Sequence, residues 1–507
     1  MLALTPLVLL VACLGEGGGG PGDAGPEAGR GGDAGLDGDG DVRAGGAGGH
    51  GPDARPGPAG DSGAGASGGG LVPPPPPPVT GRCAARSAAI AAATGRTLIV
   101  APAGDGLVTV EGAQKTLREV VREASEGDTV LLEDGTYLLP EAEPGRYTGL
   151  YFTTPGVTLR SRSGNADAVV LDSAYRIHGD TTAPVTIDAP GVVIADVTIR
   201  RSIFHLVHLW ARADGAVLHG LHLIDGGQQF VKSSPEDGES IDDVEVSCTR
   251  FHLTAQGRTN VWGYGPADGF TTCYTGGVDT HRAQRWAIRD SSFEGIHCDA
   301  GGAPRPAHGR AAGDRGGATY TGGLAEHAIH MWHGPDGAGH LIERNVIVDC
   351  ARGIGLGMTD EVYDTVIRNN VVVSRFAASR EHDVPIVIER GHDVRVDNNS
   401  VFLGDASGYP NAIEVRWGST TGVFVRNTLA NRGLRLRDGA AATEAGNVFD
   451  AAVADFIDPA AGDLHLARCG DPRITGAGEV LDHVVDDVDG EARGSANDVG
   501  ADDCAPD

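Results

Sequence analysis

The sequence predicts an all-β chain wound as a single-stranded right-handed parallel β-helix (a β-solenoid) with a short N-terminal capping helix. A six-residue unit carries most of this expectation: an aliphatic residue, four residues that are mostly polar or small, then another large apolar residue. It recurs as Ile194-ADVT-Ile199, Leu218-HGLH-Leu223, Val246-SCTR-Phe251, Ile288-RDSS-Phe293, Ile342-ERNV-Ile347, Ile367-RNNV-Val372, Val396-DNNS-Val401 and Val425-RNTL-Ala430. Most starts lie 24 to 29 residues apart, the period of stacked coils that each bury their aliphatic side chains against the next. Asn or Asp near the centre of the unit suits a corner where side-chain amides satisfy backbone groups. Composition agrees, because aromatic residues make up only 5% of the chain and short aliphatic side chains suit thin stacked layers.

Ahead of the repeats, Thr116–Pro140 reads as an amphipathic helix (Leu117, Val120, Val121, Ala124), a Gly-Asp turn, and a strand over Thr129–Leu132. This resembles the N-terminal cap of pectate-lyase-like β-helix proteins. The closing stretch, Val488-DGEARGSANDVGADD, resembles the D-G-x-R … D-x-G-A ending of many exported β-helix proteins. The resemblance covers nearly the whole repeat region and speaks to fold more than to activity.

The N-terminus points to export. Residues 1–12 are almost wholly apolar, too short for a spanning helix of about 20 residues. They end in Leu10-Val11-Ala12-Cys13, which resembles a bacterial lipobox whose cysteine bears the lipid. The expected organisation is a lipoprotein signal over 1–13, a disordered Gly/Asp/Pro-rich tether over 14–81, and the β-helix over 82–507. In the tether, a polyproline end at Pro73–Pro78 follows a segment with too little apolar surface to fold. Within the β-helix region, 82–108 reads as either a first strand or the end of the tether. The expected location is the outer membrane or cell surface, reached through the lipid alone.

A formal net charge of −29 repels nucleic acid and anionic headgroups, so neither is an expected partner; it is compatible with Ca²⁺. A monomer is expected. Seven cysteines follow Cys13, and first-guess disulfides are Cys248–Cys273, Cys298–Cys350 and Cys469–Cys504, leaving Cys83 odd.

Two repeat intervals run to 42 and 54 residues. The surplus is expected to leave the solenoid as loops over roughly 252–285 and 294–326, where function commonly resides. A second strand set aligns across coils: Val207-HLW, Val278-DTH, Ile329-HMW, Ile354-GLG, Ile386-VIE, Ile413-EVR and Leu434-RLR. Strand alternation points the second and fourth residues outward. Asp279 is then beside His330, and His281 beside Trp332, with Gly355 and Gly357 as a floor and Glu389 beyond. His327, Trp332, His333 and the glycines are the expected substrate contacts, for a sugar chain. His205, His208, His219 and His222 read as ordinary.

Among β-helix proteins the implied chemistry is β-elimination or C5 epimerisation of uronates, both of which remove the proton α to a carboxylate. That needs a base, an acid and a cation. His281 or His330 would be the base. Lys232, one of only two lysines in an arginine-rich chain, is held in reserve; its register is unfixed and its plain reading is structural. Arg282 or Arg352 would neutralise the carboxylate, with Ca²⁺ on Asp279 or Glu326. Val278-Asp279-Thr280-His281 faintly resembles the W-x-D-H of pectate lyases, whose Arg-x-Pro-x-Arg stretch is absent. Two alternatives remain open: a polygalacturonase-like hydrolase, which needs two or three Asp presented from adjacent coils although Asp242-Asp243 reads as a corner that no second pair faces, and a non-catalytic glycan-binding lipoprotein. A further alternative has Glu326, His330 and His333 ligating a transition metal.

Overall fold

The computed structural model describes residues 81–504, with interruptions at 93–94, 142–146, 177, 179–182, 237, 262, 265–271, 299–324, 333–338, 359, 376–381 and 405–408. Cys13, the Gly-rich segment and His333 therefore lie outside the described residues. Among the described residues, three long sheets form a right-handed parallel β-helix, one of fourteen strands and two of ten. Each coil gives one strand to each sheet. Val193–Ala195, Thr198–Ser202 and Val207–Trp210 make one coil, and Val217–His219, His222–Gly226 and Val231–Ser234 make the next. Equivalent residues pair in register, Ile194 with Leu218 and Ile199 with Leu223, and all four are wholly buried. Each such side chain contributes roughly 1.5–3 kcal/mol, so the hexad pattern marks the core.

Between the first and second sheets the chain turns on one left-handed residue per coil. Asp196, Gly220, Cys248, Asp290, Arg344, Asn369, Asn398, Asn427 and Gly446 all have φ between 50° and 62°. Asn and Asp tolerate this region better than other side chains, which explains their enrichment in the repeat. The next residue builds a ladder: the Asn345 amide donates to Asn370 Oδ1 and that of Asn370 to Asn399 Oδ1, each at 3.0 Å and fully buried.

The N-terminal cap is larger than a single helix. The expected helix, Leu117–Glu123, carries a capping box between Thr116 and Glu119 and buries Leu117, Val120 and Val121. Ahead of it, Thr97–Gly104, Leu107–Val110 and Ala113–Thr116 pair antiparallel, and Thr97–Gly104 also pairs parallel with Thr129–Leu132. A further helix, Gly81–Ala91, lies along the left-handed corner, with Arg86 on Glu245 at 2.8 Å and Ser87 on His219 at 3.0 Å. The stretch over 82–108 is thus helix followed by first strand.

The C-terminal stretch returns along the same corner. Asn369 donates to the carbonyl of Asp486 at 2.7 Å, Asn398 to that of Asp498 at 3.1 Å, and Asn427 to that of Glu479 at 2.8 Å. Arg493 donates to the carbonyls of Asp486, Gly500 and Ala501, each at 2.9 Å. A second apolar cluster, including Val371, Phe402, Leu464 and Val499, joins this segment to the solenoid.

Two of the three first-guess disulfides are corrected. The bonds are Cys83–Cys248, Cys273–Cys298 and Cys469–Cys504; only the last was expected. The Gly81–Ala91 helix brings Cys83 to the corner residue Cys248, so Cys83 is not odd. Cys273 then meets Cys298, and Cys350 is a free, buried thiol. Disulfides fit an exported chain.

Candidate functional site

The third sheet carries the candidate site. Its strands include Val207–Trp210, Val231–Ser234, Val278–Thr280, His327–Met331, Arg352–Leu356, Ile386–Glu389, Asn411–Arg416 and Gly433–Leu436. The aligned residues expected to point inward, Val207, Val278, Ile329, Ile354, Ile386 and Ile413, are wholly buried and stack in one row. One coil was missing from the sequence alignment. Val231 sits between Val207 and Val278, so Lys232 pairs with His208 on one side and Asp279 on the other. The loop expected over 252–285 accordingly includes a strand of the site, Val278–Thr280.

The outward row therefore reads His208, Lys232, Asp279, His330, Gly355. Strands about 4.8 Å apart bring neighbours into contact. The Lys232 ammonium hydrogen-bonds Asp279 Oδ2. Asp279 Oδ1 lies 3.2 Å from His330 Nδ1, and Oδ2 lies 3.9 Å from His281 Nε2. Lys232, Asp279 and His330 are each 7% exposed or less, so this is a buried charged network on the outer side of a sheet. Burial pushes the Asp279 carboxyl up, but the Lys232 charge and the His330 hydrogen bond outweigh it and hold it well below the usual carboxylate range.

His330 is the pivot. Its Nε2 donates to the Gly357 carbonyl at 3.0 Å, and the Trp332 indole N–H approaches its Nδ1. One nitrogen cannot accept from Trp332 and donate to Asp279 at once. Neutral His330 accepts from the indole; protonated His330 donates to Asp279. The fourth-position pair is also close, with the His281 and Trp332 rings 4.8 Å apart. Burial, then the Lys232 charge, lowers His281 to about 4. Since 45% of its side chain is exposed, solvent damps that shift, but its direction leaves a neutral imidazole at pH 7.

The chain doubles an inward position just before these strands, with Leu206, Phe230 and Ala328 wholly buried next to Val207, Val231 and Ile329. The residue ahead of each then joins the outer face. His205 lies beside His208 with the rings tilted and their centroids 5.2 Å apart, and His327 stacks on His330 at 4.6 Å. Burial lowers His205 to about 3, helped by the Lys232 charge; it also drives His208 and His327 well below their ordinary value. His205 and His208 thus belong to the cluster instead of being ordinary surface histidines. The signal was available: Phe230-Val231-Lys232 repeats the apolar–apolar–outward order of Leu206-Val207-His208.

The two glycines have local causes. A Cβ on Gly355 would sit 2.6 Å from His327 Nε2, so the His327 ring occupies the space above it. Gly357 has φ +77°, and a Cβ there would meet the Glu389 carbonyl. Several expected substrate groups are engaged by neighbours. Arg352 lies 3.2 Å from Asp383 and 3.8 Å from Glu326, and Glu389 is paired with Arg416 at 2.6 Å. Arg282 occupies a left-handed turn after the Val278–Thr280 strand. Asp242 and Asp243 lie at a corner and share Arg285, at 3.1 and 2.7 Å.

No protein-family model and no curated protein matches the chain. Solved structures do. One is pectate lyase Pel9A, 13% identical over 81% of this chain and 96% of that one, with a TM-score of 0.43. Another is PfbA, a surface adhesin of Streptococcus pneumoniae, 10% identical over 62% and 85%, TM-score 0.32. A third is the A-module of the Azotobacter vinelandii mannuronan C-5 epimerase AlgE6, 15% identical over 65% and 73%, TM-score 0.26. At such identities and scores the likeness carries no inference about activity.

The donor set does not suit the Ca²⁺ that the fold resemblance implies. Ca²⁺ takes six to eight oxygens. Here Asp279 faces an ammonium, and Glu326 is grouped with two imidazoles, His327 and His330.

Proposed function

We propose that this chain acts on uronate-containing polysaccharide by removing the proton α to the carboxylate, ending in β-elimination or C5 epimerisation. The observation that carries this reading is a neutral, half-exposed imidazole, His281, beside the buried Lys232–Asp279–His330 network and against the Trp332 ring.

His281 Nε2 takes the C5 proton, and the C–H electron pair moves toward the carboxylate. The Lys232 ammonium, held by Asp279, offsets the developing charge in a low-dielectric setting where a fixed cation counts for most. Loss of the O4 substituent then leaves a C4–C5 double bond, and the departing oxygen takes up the proton His281 has removed or one from water. Protonation of C5 by water from the opposite face, with His281 losing its proton to solvent, gives the epimer instead. Trp332 offers a flat apolar surface for a sugar ring.

Burial of the network favours one other reading, a non-catalytic glycan-binding surface protein, because satisfied buried polar networks also serve structure alone. The hydrolase reading has less support, since Asp242 and Asp243 lie at a corner and share one arginine. A lipid on Cys13 would tether the domain to the membrane, and Cys13→Ser should release it into the medium.

The test is ultraviolet absorbance of the new double bond while the purified chain is incubated with a panel of uronate polysaccharides. A rise that His281→Ala abolishes supports elimination with this base. A flat trace together with tight glycan binding in a pull-down supports the binding reading.

A further inference from the structure

Glu326, His327 and His330 lie at one edge of the network just described. Each offers a ligand atom, and the three atoms lie within 4.8 Å of one another. His327 supplies an independent sign of a missing partner. It is 92% buried, at 8% exposure, and its Nδ1 is buried without a hydrogen bond. An orphaned buried imidazole nitrogen costs about 1–3 kcal/mol, and native structures seldom leave one without a reason. The ring is also seated deliberately, because any side chain at Gly355 would displace it.

We propose that Glu326, His327 and His330 bind one divalent transition-metal ion of the Zn²⁺ class, with a fourth position left open. Two imidazoles and one carboxylate form the donor set of open tetrahedral zinc sites, whose ligands lie about 2.0–2.2 Å from the metal. That geometry puts ligand atoms roughly 3.4 Å apart, so side-chain rotations of about an ångström close the site. His330 keeps one of its two present hydrogen bonds as the orienting contact that ligating histidines make through their other nitrogen. Arg352 does not block the site. It is nearer to Asp383, at 3.2 Å, than to Glu326, at 3.8 Å, and retains that partner when Glu326 turns to the metal.

The role of such an ion rests on the proton-abstraction reading: next to Lys232 it would add positive charge where a uronate carboxylate binds. Its presence does not rest on that reading. A second cluster, His465 with Asp489 and Asp502, must be separated from it. There His465 Nε2 already contacts Asp489 at 2.9 Å and its Nδ1 contacts Asp463.

The experiment is calorimetric titration of the chelator-treated chain with Zn²⁺, carried out in a His465→Ala background, with Co²⁺ as a spectroscopic substitute. Expected are one equivalent bound, a tetrahedral Co²⁺ d–d spectrum, and loss of at least a hundredfold in affinity in both His327→Gln and Glu326→Gln. His281→Ala should bind as the parent does, and millimolar Ca²⁺ should not compete. Each variant's melting temperature and far-ultraviolet dichroism are measured alongside. Failure to bind Zn²⁺ more tightly than about 10 μM, or unchanged binding in a folded His327→Gln, overturns the proposal. Neither result bears on whether uronate is cleaved, and loss of cleavage in His281→Ala with Zn²⁺ still bound leaves the metal site intact.

Discussion

Lys232→Met separates the buried network from a surface ion pair. The Lys232 and Asp279 side chains are 9% and 8% exposed, so removing the ammonium leaves a carboxylate with little solvent to replace it. Breaking a buried pair in this way costs about 3–5 kcal/mol, against about 0–1 for an exposed pair. The pH dependence supplies the sharper test. In the parent, Asp279 titrates well below the usual carboxylate range, so its contribution is fully present above the unfolded value near 3.9 and is lost only as pH falls through the lower folded value. Without Lys232 the largest opposing interaction is gone, and only the His330 hydrogen bond and the imidazole charges act against burial, so the folded value rises. Relative to the parent, the variant then loses stability as pH rises through the range between the two folded values. Relief of His205, His208 and His281 from the Lys232 charge acts in the same direction, since each is lowered in part by that charge. Urea unfolding of parent and variant at pH 5 and pH 7, followed by circular dichroism, reads the difference. The expected destabilisation is about 3–5 kcal/mol at pH 7 and clearly smaller at pH 5, and Lys232→Met with Asp279→Leu should recover much of it. A loss below about 1 kcal/mol, or one equal at both pH values, refutes the reasoning.

With burial and the Lys232 charge lowering His281, kcat/KM on a uronate substrate should rise with pH through a limb below the ordinary imidazole value and then level; a limb above that value would contradict the assignment. Gly355→Ala pushes a methyl against His327 and should cost about 1–3 kcal/mol as overpacking does, read as a lowered melting temperature. The Cys83–Cys248 bond closes 165 residues, so Cys83→Ser should destabilise by about 5 kcal/mol on a chain-entropy basis, measured by unfolding under non-reducing conditions. Asn370→Ala breaks the buried ladder at its middle and should cost about 1–3 kcal/mol with little effect on glycan binding.

The core of the fold was readable because its signal is periodic: Ile194, Leu218, Val246 and their successors repeat the same residue class at the same place in each coil. The corner was readable for the same reason, through Asn369, Asn398 and Asn427. What escaped was aperiodic. The Gly81–Ala91 helix belongs to no repeat, so Cys83 had no visible partner and the expected pairing of Cys248, Cys273, Cys298 and Cys350 came out wrong. In the site, the contacts between Asp279 and His330 and between His281 and Trp332 followed from strand alternation alone. Lys232 was a candidate, but its register escaped because the coil of Val231–Ser234 was missing from the aligned strand set. His327 escaped as a member of the buried cluster because the chain doubles an inward position at Ala328 and Ile329. No sequence pattern announced that Asp279 would be claimed by Lys232 instead of a cation.

Proton abstraction at C5 is the central claim, and it is tested most directly by nuclear magnetic resonance of uronate oligosaccharides incubated with the chain in deuterated water. The account predicts either an unsaturated uronate end or deuterium at C5 of an inverted residue, and neither product with His281→Ala. Oligosaccharides that bind yet emerge with every C5 proton retained would contradict it.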